Sequence, residues 1–210
     1  IEATEALAQR GFETHLVEYA GHVLPPLEVE MATLVTRELR GLGVHVHAGV
    51  AAQTITHGED HDSVTLSDGT VLTADVIVLS TGVRPDTAFA EAAGIETRRG
   101  YILVDEHGRT SADDVYAVGD GTIGRDHDRP VALAGPANRG GRLVADAIAD
   151  AEHGEASARP IPSPQGTTIV RVGSLTAAMT GANRQALDAS GTKYFTVHTH
   201  ANQHAGYFPG

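Results

Sequence analysis

A glycine followed by an aspartate, at the end of a short apolar run, is the clearest candidate ligand site in this sequence. Residues 115–118 predict a short strand, and Gly119 and Asp120 follow it directly. Glycine has no Cβ, so a ligand can approach the backbone closely at Gly119. Open α/β sheets place their ligands at the carboxyl ends of strands, and the Asp120 carboxylate accepts hydrogen bonds from sugar-like hydroxyls. The pattern predicts a hydroxyl-rich ligand at Asp120, although a simple Gly-Asp turn would look the same.

A second carboxylate, Glu18, stands at the end of another predicted strand. Residues 1–10 predict a helix, Gly11 its end, and residues 14–18 a strand, which is the second half of a βαβ unit. In dinucleotide-binding units an acidic residue at this position binds the adenosine ribose. The first cation after Glu18 is Arg37, so no basic group is close in sequence to receive a 2′-phosphate. We expect NADH to be favoured over NADPH, with an ordinary strand-end carboxylate as the alternative.

Two glycine-containing exits from predicted elements are further candidates. The first is Ser80-Thr81-Gly82, which ends an apolar run and precedes Arg84-Pro85. The second is the stretch 133–142, where a loop leads into a helix whose free N–H groups can receive partial negative charge. Each also fits a plain strand exit or a plain capped helix.

The last residues combine three histidines with a tyrosine. His198, His200 and His204 have spacings that 12 histidines produce by chance, so we predict no metal site. The phenol of Tyr207 can donate a hydrogen bond to a thiolate or a developing anion. An aromatic residue in a subunit interface is the alternative for Tyr207.

Composition excludes several classes of protein. The 15 basic and 27 acidic side chains give a net charge of −12, which argues against nucleic acid as a partner. No apolar run approaches the roughly 20 residues of a membrane span, and no signal-peptide pattern is present, so we expect a cytoplasmic protein without membrane contact. The chain has no cysteine and opens inside a helical pattern, and we interpret it as an internal fragment.

The remaining pattern predicts alternating helices and strands, followed by a β-rich segment. The predicted helices are 28–40, 87–93, 138–151 and 183–189. The predicted strands are 44–48, 63–66, 70–72, 75–79, 102–105, 167–172, 175–180 and 194–198. A turn at Ser67-Asp68-Gly69 is predicted to join the second and third of these strands as a hairpin. Residues 153–166, rich in proline and serine, predict a linker.

Several of these motifs resemble the pyridine nucleotide-disulfide oxidoreductases. The string T-S-x-x-x-V-Y-A-V-G-D at 110–120 resembles their second FAD-binding motif. The S-T-G of 80–82 before R-P resembles their crossover from the NAD domain to the FAD domain. P-A-N-R-x-G-R from Pro136 and A-N-x-H-A-G-Y-x-P-G from residue 201 are similar to the branch of coenzyme A-disulfide reductases and NADH oxidases.

The resemblance implies an α/β, two-dinucleotide-binding-domain flavoprotein fold, truncated, with the start of an α+β dimerisation domain. Residues 1–83 would be the NAD(P)-binding domain without its first strand and glycine loop. Residues 84–155 would be the returning part of the FAD-binding domain, and 160–210 the start of the dimerisation domain. A homodimer is implied for the full-length protein.

The resemblance also implies residue roles. Glu2 would lie near the nicotinamide, and Tyr207 would act on the active-site cysteine of the partner subunit. The residues implied to contact the nucleotides, beside Glu2 and Glu18, are Gly82, Gly119, Asp120, Leu133, Ala134, Ala137 and Asn138.

The implied reaction passes a hydride from NAD(P)H through FAD to a cysteine-bound disulfide, with a coenzyme A-type disulfide or persulfide as substrate. We expect the isolated chain to be inactive, because it has no nucleophilic cysteine and neither glycine loop. Three alternatives stay open: an NADH oxidase or peroxidase, an NADH:iron–sulfur-protein reductase, and a non-catalytic interaction domain.

Overall fold

The computed structural model describes residues 1–127 and 129–200. Within this part the helices are α1 (Glu2–Gln9), α2 (Val29–Gly41), α3 (Ala88–Ala92), α4 (Ala134–His153) and α5 (Arg184–Ala189). The first strands are β1 (His15–Glu18), β2 (His45–Ala48), β3 (Ala52–Thr56), β4 (Asp62–Leu66) and β5 (Val71–Ala74). The later strands are β6 (Thr97–Arg98), β7 (Tyr101–Val104), β8 (Thr122–Gly124), β9 (Thr168–Val172) and β10 (Leu175–Met179). No helix among the described residues is long and apolar enough to cross a membrane.

The first segment, residues 1–48, has the predicted alternation of helices with parallel strands. β1 and β2 pair in parallel, from His15 opposite His45 to Glu18 opposite Ala48. α2 connects them and buries Ala32, Val35 and Leu39. These residues recur at intervals of three and four, so they form one face of the helix, which packs into the core.

A three-stranded antiparallel sheet follows, in the order β3-β4-β5. The hairpin of β4 and β5 confirms the predicted turn around Asp68-Gly69, and Thr70 N–H donates to the Asp68 carboxylate at 2.9 Å. β3 was not predicted. All five of its residues are exposed, so it has no buried face to produce the alternating apolar pattern of a strand.

The middle segment, residues 88–153, combines α3 and α4 with a small sheet. β7 pairs with β6 in antiparallel and with β8 in parallel, and its Ile102 and Val104 are buried. α4 packs closely on the loop before β8, because a Cβ added at Gly140 would lie 2.9 Å from Val118 Cγ2. α4 begins at Ala134, four residues before the predicted start, so Pro136 lies in its first turn, where a missing N–H breaks no helical bond.

The third segment consists of the β9–β10 hairpin and α5, joined to α4 by the predicted linker. α5 begins after Asn183, whose side chain accepts a hydrogen bond from Ala186 N–H at 2.9 Å. Val172 of β9 is fully buried in the same cluster as Val35 and Leu39 of α2. The third segment therefore shares its core with the first segment.

Three predicted strands are wrong. Residues 75–79 are irregular, with Val76 75% exposed, although their continuous apolar run predicts a strand buried on both faces. A strand needs a neighbour to bond its backbone, and none pairs with this run in the described part of the chain. Residues 115–118 form one isolated bridge, from Tyr116 to Arg109, instead of a strand. Residues 194–198 are irregular for the same lack of a neighbouring strand.

Candidate cofactor site

Two adjoining cavities lie where the sequence predicts a ligand. The first has a volume of about 580 Å³, and Asp120 is in its wall. The second has a volume of about 640 Å³, and Gly119 and Ala137 are in its wall. Ala117, Val118 and Thr122 line both cavities. The Gly119-Asp120 pair thus lies at the boundary between two cavities rather than at the end of a regular strand.

A tight turn sets the position of Asp120. Thr122 N–H and its hydroxyl both donate to the carbonyl oxygen of Gly119, at 3.0 and 2.8 Å. Gly119 has a φ of +95°, a conformation that residues with a Cβ rarely adopt. A Cβ built at Gly119 would meet no described atom within 4 Å, so the space beside this backbone is open. The turn therefore needs glycine for its φ, and a ligand can approach it.

Gly108 holds the neighbouring hairpin against α4. Gly108 has a φ of +78°, and an added Cβ would lie 2.4 Å from Val144 Cγ2 and 3.3 Å from the Ala117 carbonyl oxygen. Ala117 N–H donates to the Gly108 carbonyl at 2.9 Å. This close packing fixes Ala117, and with it the wall that the two cavities share.

The first turn of α4 borders the second cavity. Gly135, Pro136 and Ala137 line it, and the structure provides no side-chain cap for α4 among its described residues. An uncapped helix start offers backbone N–H groups and partial positive charge to an anionic or carbonyl group. Ala134 begins the same turn, and Leu133 and Asn138 lie immediately before and after it, but none of the three is among the described residues that line either cavity.

Gly82 leads into the wall of the first cavity. It is exposed, with a φ of +97°, and it immediately precedes the five lining residues 83–87. Thr87 is buried, and its hydroxyl donates to the Gly100 carbonyl oxygen at 2.7 Å. The segment after Gly82 is therefore fixed at one end to the sheet of β6, β7 and β8.

Glu18 and Glu2 lie apart from both cavities. Glu18 closes β1 at its carboxyl end, and one of its carboxylate oxygens accepts the Ala20 N–H at 2.8 Å. A carboxylate has about four lone-pair sites, so this bond leaves Glu18 free to accept from a ribose hydroxyl. Glu2 is exposed in the first turn of α1. The structure thus has two separate groups of predicted nucleotide-binding residues, and Tyr207 lies outside the described residues.

The sequence missed the part of the linker that forms a cavity wall. Residues 161–167 line the second cavity, and Ile161 N–H donates to the Glu106 carbonyl oxygen at 2.7 Å. Proline and serine predict irregular backbone but do not tell where it packs. Arg139 also lines this cavity, although it is not among the predicted site residues.

The residues of the two cavities fit part of a flavin nucleotide. Asp120 supplies an acceptor for ribityl hydroxyls, the open backbone at Gly119 allows close approach, and the first turn of α4 supplies N–H donors. The volume of each cavity lies in the range of pockets that hold small-molecule ligands, which runs from about 300 to 1,000 Å³.

Comparison with known proteins identifies relatives along the whole described chain. The family model described as pyridine nucleotide-disulphide oxidoreductase matches residues 1–151. The rubredoxin-NAD(+) reductase of Alcanivorax borkumensis is 40% identical over 150 residues, which are 70% of this chain and 38% of that protein.

Two solved structures extend the similarity further. The crystal structure of reduced Bacillus anthracis CoADR-RHD has a TM-score of 0.89 and 34% identity, covering 99% of this chain and 37% of that one. The NAD-dependent persulfide reductase from A. fulgidus has a TM-score of 0.85 and 32% identity, covering 92% of this chain and 36% of that one. The two-dinucleotide-domain α/β fold and the resemblance to the CoA-disulfide reductase branch are thereby confirmed. The chain spans less than half the length of each of these relatives.

Proposed function

The chain belongs to the pyridine nucleotide-disulphide oxidoreductase family, and we propose that the full-length protein containing it reduces a disulfide with electrons from NADH. When bound by the residues described above, FAD would supply hydride acceptance from the nicotinamide and electron transfer to the disulfide. The proposed substrate is a coenzyme A-type disulfide or persulfide. A homodimer and a cytoplasmic location are further parts of this proposal.

The observation that carries the proposal is the extent of the similarity to CoADR-RHD. That similarity covers 99% of the chain, whereas the family model ends at residue 151. It therefore includes β9, β10 and α5, the part that the sequence assigns to the dimerisation domain. The persulfide reductase similarity, at 92% of the chain, supports the same assignment.

The chain's own residues would bind and orient the cofactors. Asp120 would accept hydrogen bonds from the ribityl hydroxyls, with Gly119 leaving room for them. Leu133, Ala134, Ala137 and Asn138 would present the start of α4 to the flavin ring, where the helix dipole stabilises negative charge. Glu18 would bind the adenosine ribose of NADH, and Glu2 would lie near its nicotinamide.

We also propose three functional parts with the predicted boundaries: 1–83 for NAD(P), 84–155 for FAD and 160–210 for dimerisation. The cavities support the second part, because both are lined mainly by residues between 83 and 140. The packing of Val172 against α2 supports a third part that rests directly on the first.

The test is thiol release by the purified full-length protein. We expect NADH-dependent conversion of coenzyme A disulfide to two thiols, measured with a thiol reagent under anaerobic conditions. Tyr207→Phe should lower this turnover while NADH still bleaches the flavin. Unchanged turnover in Tyr207→Phe would remove the tyrosine from the reaction, and absence of thiol release in the natural protein would overturn the substrate assignment.

A second function, reduction of a small iron–sulfur protein, is favoured by one observation. The rubredoxin-NAD(+) reductase relative is 40% identical over 150 residues, a higher identity than that of either structural relative above. Reduced rubredoxin is detected by its loss of visible absorbance. Faster NADH-dependent reduction of rubredoxin than of coenzyme A disulfide would favour this second function.

A further inference from the structure

Three potential metal ligands meet at the amino ends of β1 and β2. Glu13, His15 and His45 each offer one ligand atom, and these atoms all lie within 4.8 Å of one another. Imidazole nitrogen and carboxylate oxygen are ligands that zinc accepts in proteins. We propose that Glu13, His15 and His45 form a binding site for a divalent transition metal of the zinc type, with water as the fourth ligand.

The distances are close to those of a tetrahedral site. His15 Nε2 lies 3.4 Å from Glu13 Oε1, and His45 Nε2 lies 4.0 Å from the same oxygen. Zinc–ligand bonds of about 2.0–2.1 Å at tetrahedral angles separate the ligand atoms by about 3.4 Å. The His15–Glu13 pair already has this separation, and the His45–Glu13 pair must close by about 0.6 Å. The two histidine nitrogens, which lie within 4.8 Å of each other, must also reach it.

Binding requires the His45 and Glu13 side chains to rotate. The His15 and His45 rings are stacked, with centroids 4.6 Å apart and planes at 19°, so their lone pairs do not yet converge on one point. The His45 side chain is 56% exposed and that of Glu13 is 78% exposed. Both have room to turn toward an ion, while the less exposed His15 stays in place.

His47 holds His15 in the orientation that a metal needs. His15 Nδ1 lies 3.1 Å from His47 Nε2. A metal on His15 Nε2 leaves the proton on Nδ1, which donates to His47. Ligating histidines commonly donate their second N–H in this way, which fixes both tautomer and ring orientation.

The site is remote from the proposed cofactor contacts. His15 and His45 are the first residues of β1 and β2, whereas Glu18 closes β1 at its opposite end. A metal here would link β1 and β2 at their amino ends, at the opposite edge of the sheet from Glu18. The proposed metal site is separate from the cofactor contacts, so it stands whether or not the proposed function is correct.

The test is zinc titration of the 210-residue chain without a histidine tag, in competition with a chromophoric chelator. We expect one saturable equivalent in the natural sequence. Loss of an outer-shell partner typically weakens metal binding by about 10- to 100-fold, so His45→Ala, which removes a ligand, should weaken it at least as much. His57→Ala is the control, because His57 is exposed and bonded to Asp62 on the β3-β4-β5 sheet.

Glu13→Gln is a second variant that preserves side-chain shape and removes the charged oxygen, and circular dichroism verifies the fold of each variant. Cobalt added in place of zinc should give the intense visible bands of a tetrahedral site, and His45→Ala should abolish them. Absence of a one-to-one complex, or equal zinc affinity in His45→Ala and His57→Ala, would overturn the proposal.

Discussion

At the scale of single residues, the proposed nucleotide binding depends on two carboxylates at the ends of backbone segments. Asp120 lies beside an open glycine in a cavity wall, and Glu18 closes a parallel strand. Neither is buried in an apolar environment, so each is available to accept hydrogen bonds from hydroxyls of a nucleotide.

Replacing Asp120 should weaken flavin binding. Hydrogen bonds to charged groups contribute about 1.5–3 kcal/mol, so Asp120→Asn in the full-length protein should raise the Kd for FAD by about 10- to 100-fold. Asp113→Asn is the matched control, because Asp113 is exposed in the same loop and does not line the first cavity. Fluorescence titration of the flavin-free protein measures both, and equal FAD affinity in the two variants would contradict the role of Asp120.

Replacing Glu18 should change the choice of nicotinamide cofactor. Glu18→Ala removes an acceptor for the ribose hydroxyl, so KM for NADH should rise by about tenfold, as expected for a loss of about 1.4 kcal/mol. The repulsion between Glu18 and a 2′-phosphate disappears as well, so the preference for NADH over NADPH should narrow. Glu59→Ala, a change at an exposed glutamate before β4, is the control. Stopped-flow bleaching with each cofactor measures the ratio, and a natural enzyme that is faster with NADPH would refute the NADH assignment.

At the scale of elements, α4 and the loop before β8 form the rigid part of the candidate site. Val144 of α4 contacts the Gly108 turn so closely that no Cβ fits between them. The position of the cavity wall therefore depends on Gly108, a glycine that is not itself a predicted ligand contact.

Gly108→Ala should destabilise the fold more than a matched glycine change. Gly108 and Gly94 both have a φ of +78°, so alanine at either should cost about 1–2 kcal/mol in backbone strain. At Gly94 the added methyl meets no described atom within 4 Å, whereas at Gly108 it collides with Val144. Overpacking a core costs about 1–3 kcal/mol in addition, so Gly108→Ala should lose more unfolding free energy than Gly94→Ala. Urea unfolding of the chain compares them, and equal losses would show that the contact with Val144 relaxes freely.

The elements also show what a sequence can and cannot predict. Helices with a clear apolar face, such as α2, and turns with specific chemistry, such as Asp68-Gly69, were predicted correctly because their signals are local. The apolar run 75–79 was predicted as a strand, but strand formation depends on a neighbour that the run itself does not specify. The cavity wall formed by residues 161–167 was missed for the same reason: packing between distant segments leaves no local pattern.

At the scale of the whole molecule, one cluster of charges joins the third segment to the first. The guanidinium and backbone N–H of Arg184 each donate to Glu28 at 2.7 Å, and the guanidinium also bonds Glu30. Glu30 and Glu38 both belong to α2, and Glu38 accepts a hydrogen bond from Ser174 N–H at 2.8 Å. These contacts surround the apolar cluster that contains Val172.

Acid should weaken this junction. The hydrogen bond from Arg184 N–H, and next the guanidinium, lowers the pKa of Glu28 below its ordinary value. A lowered pKa in the folded state means that the stabilisation is present above about pH 4.3, the ordinary glutamate value, and is lost as the pH falls below it.

Arg184→Gln should lower the unfolding free energy slightly at neutral pH, because ion pairs at the protein surface contribute little to stability. It should also reduce the loss of stability on acidification, because protonation of Glu28 then breaks no ion pair with residue 184. Arg159→Gln, in the exposed linker, is the control. Urea unfolding across the acidic range measures this, and parallel pH profiles for the two variants would contradict the account.

The central claim is that electrons pass from NADH through FAD to a coenzyme A-type disulfide. The direct measurement uses the full-length protein, reduced anaerobically with one equivalent of NADH and then mixed in separate experiments with coenzyme A disulfide, oxidised rubredoxin or oxygen. NADH should bleach the flavin, and coenzyme A disulfide should restore its colour fastest. A protein that binds no flavin, or a flavin that rubredoxin or oxygen reoxidises faster than coenzyme A disulfide does, would contradict the central claim.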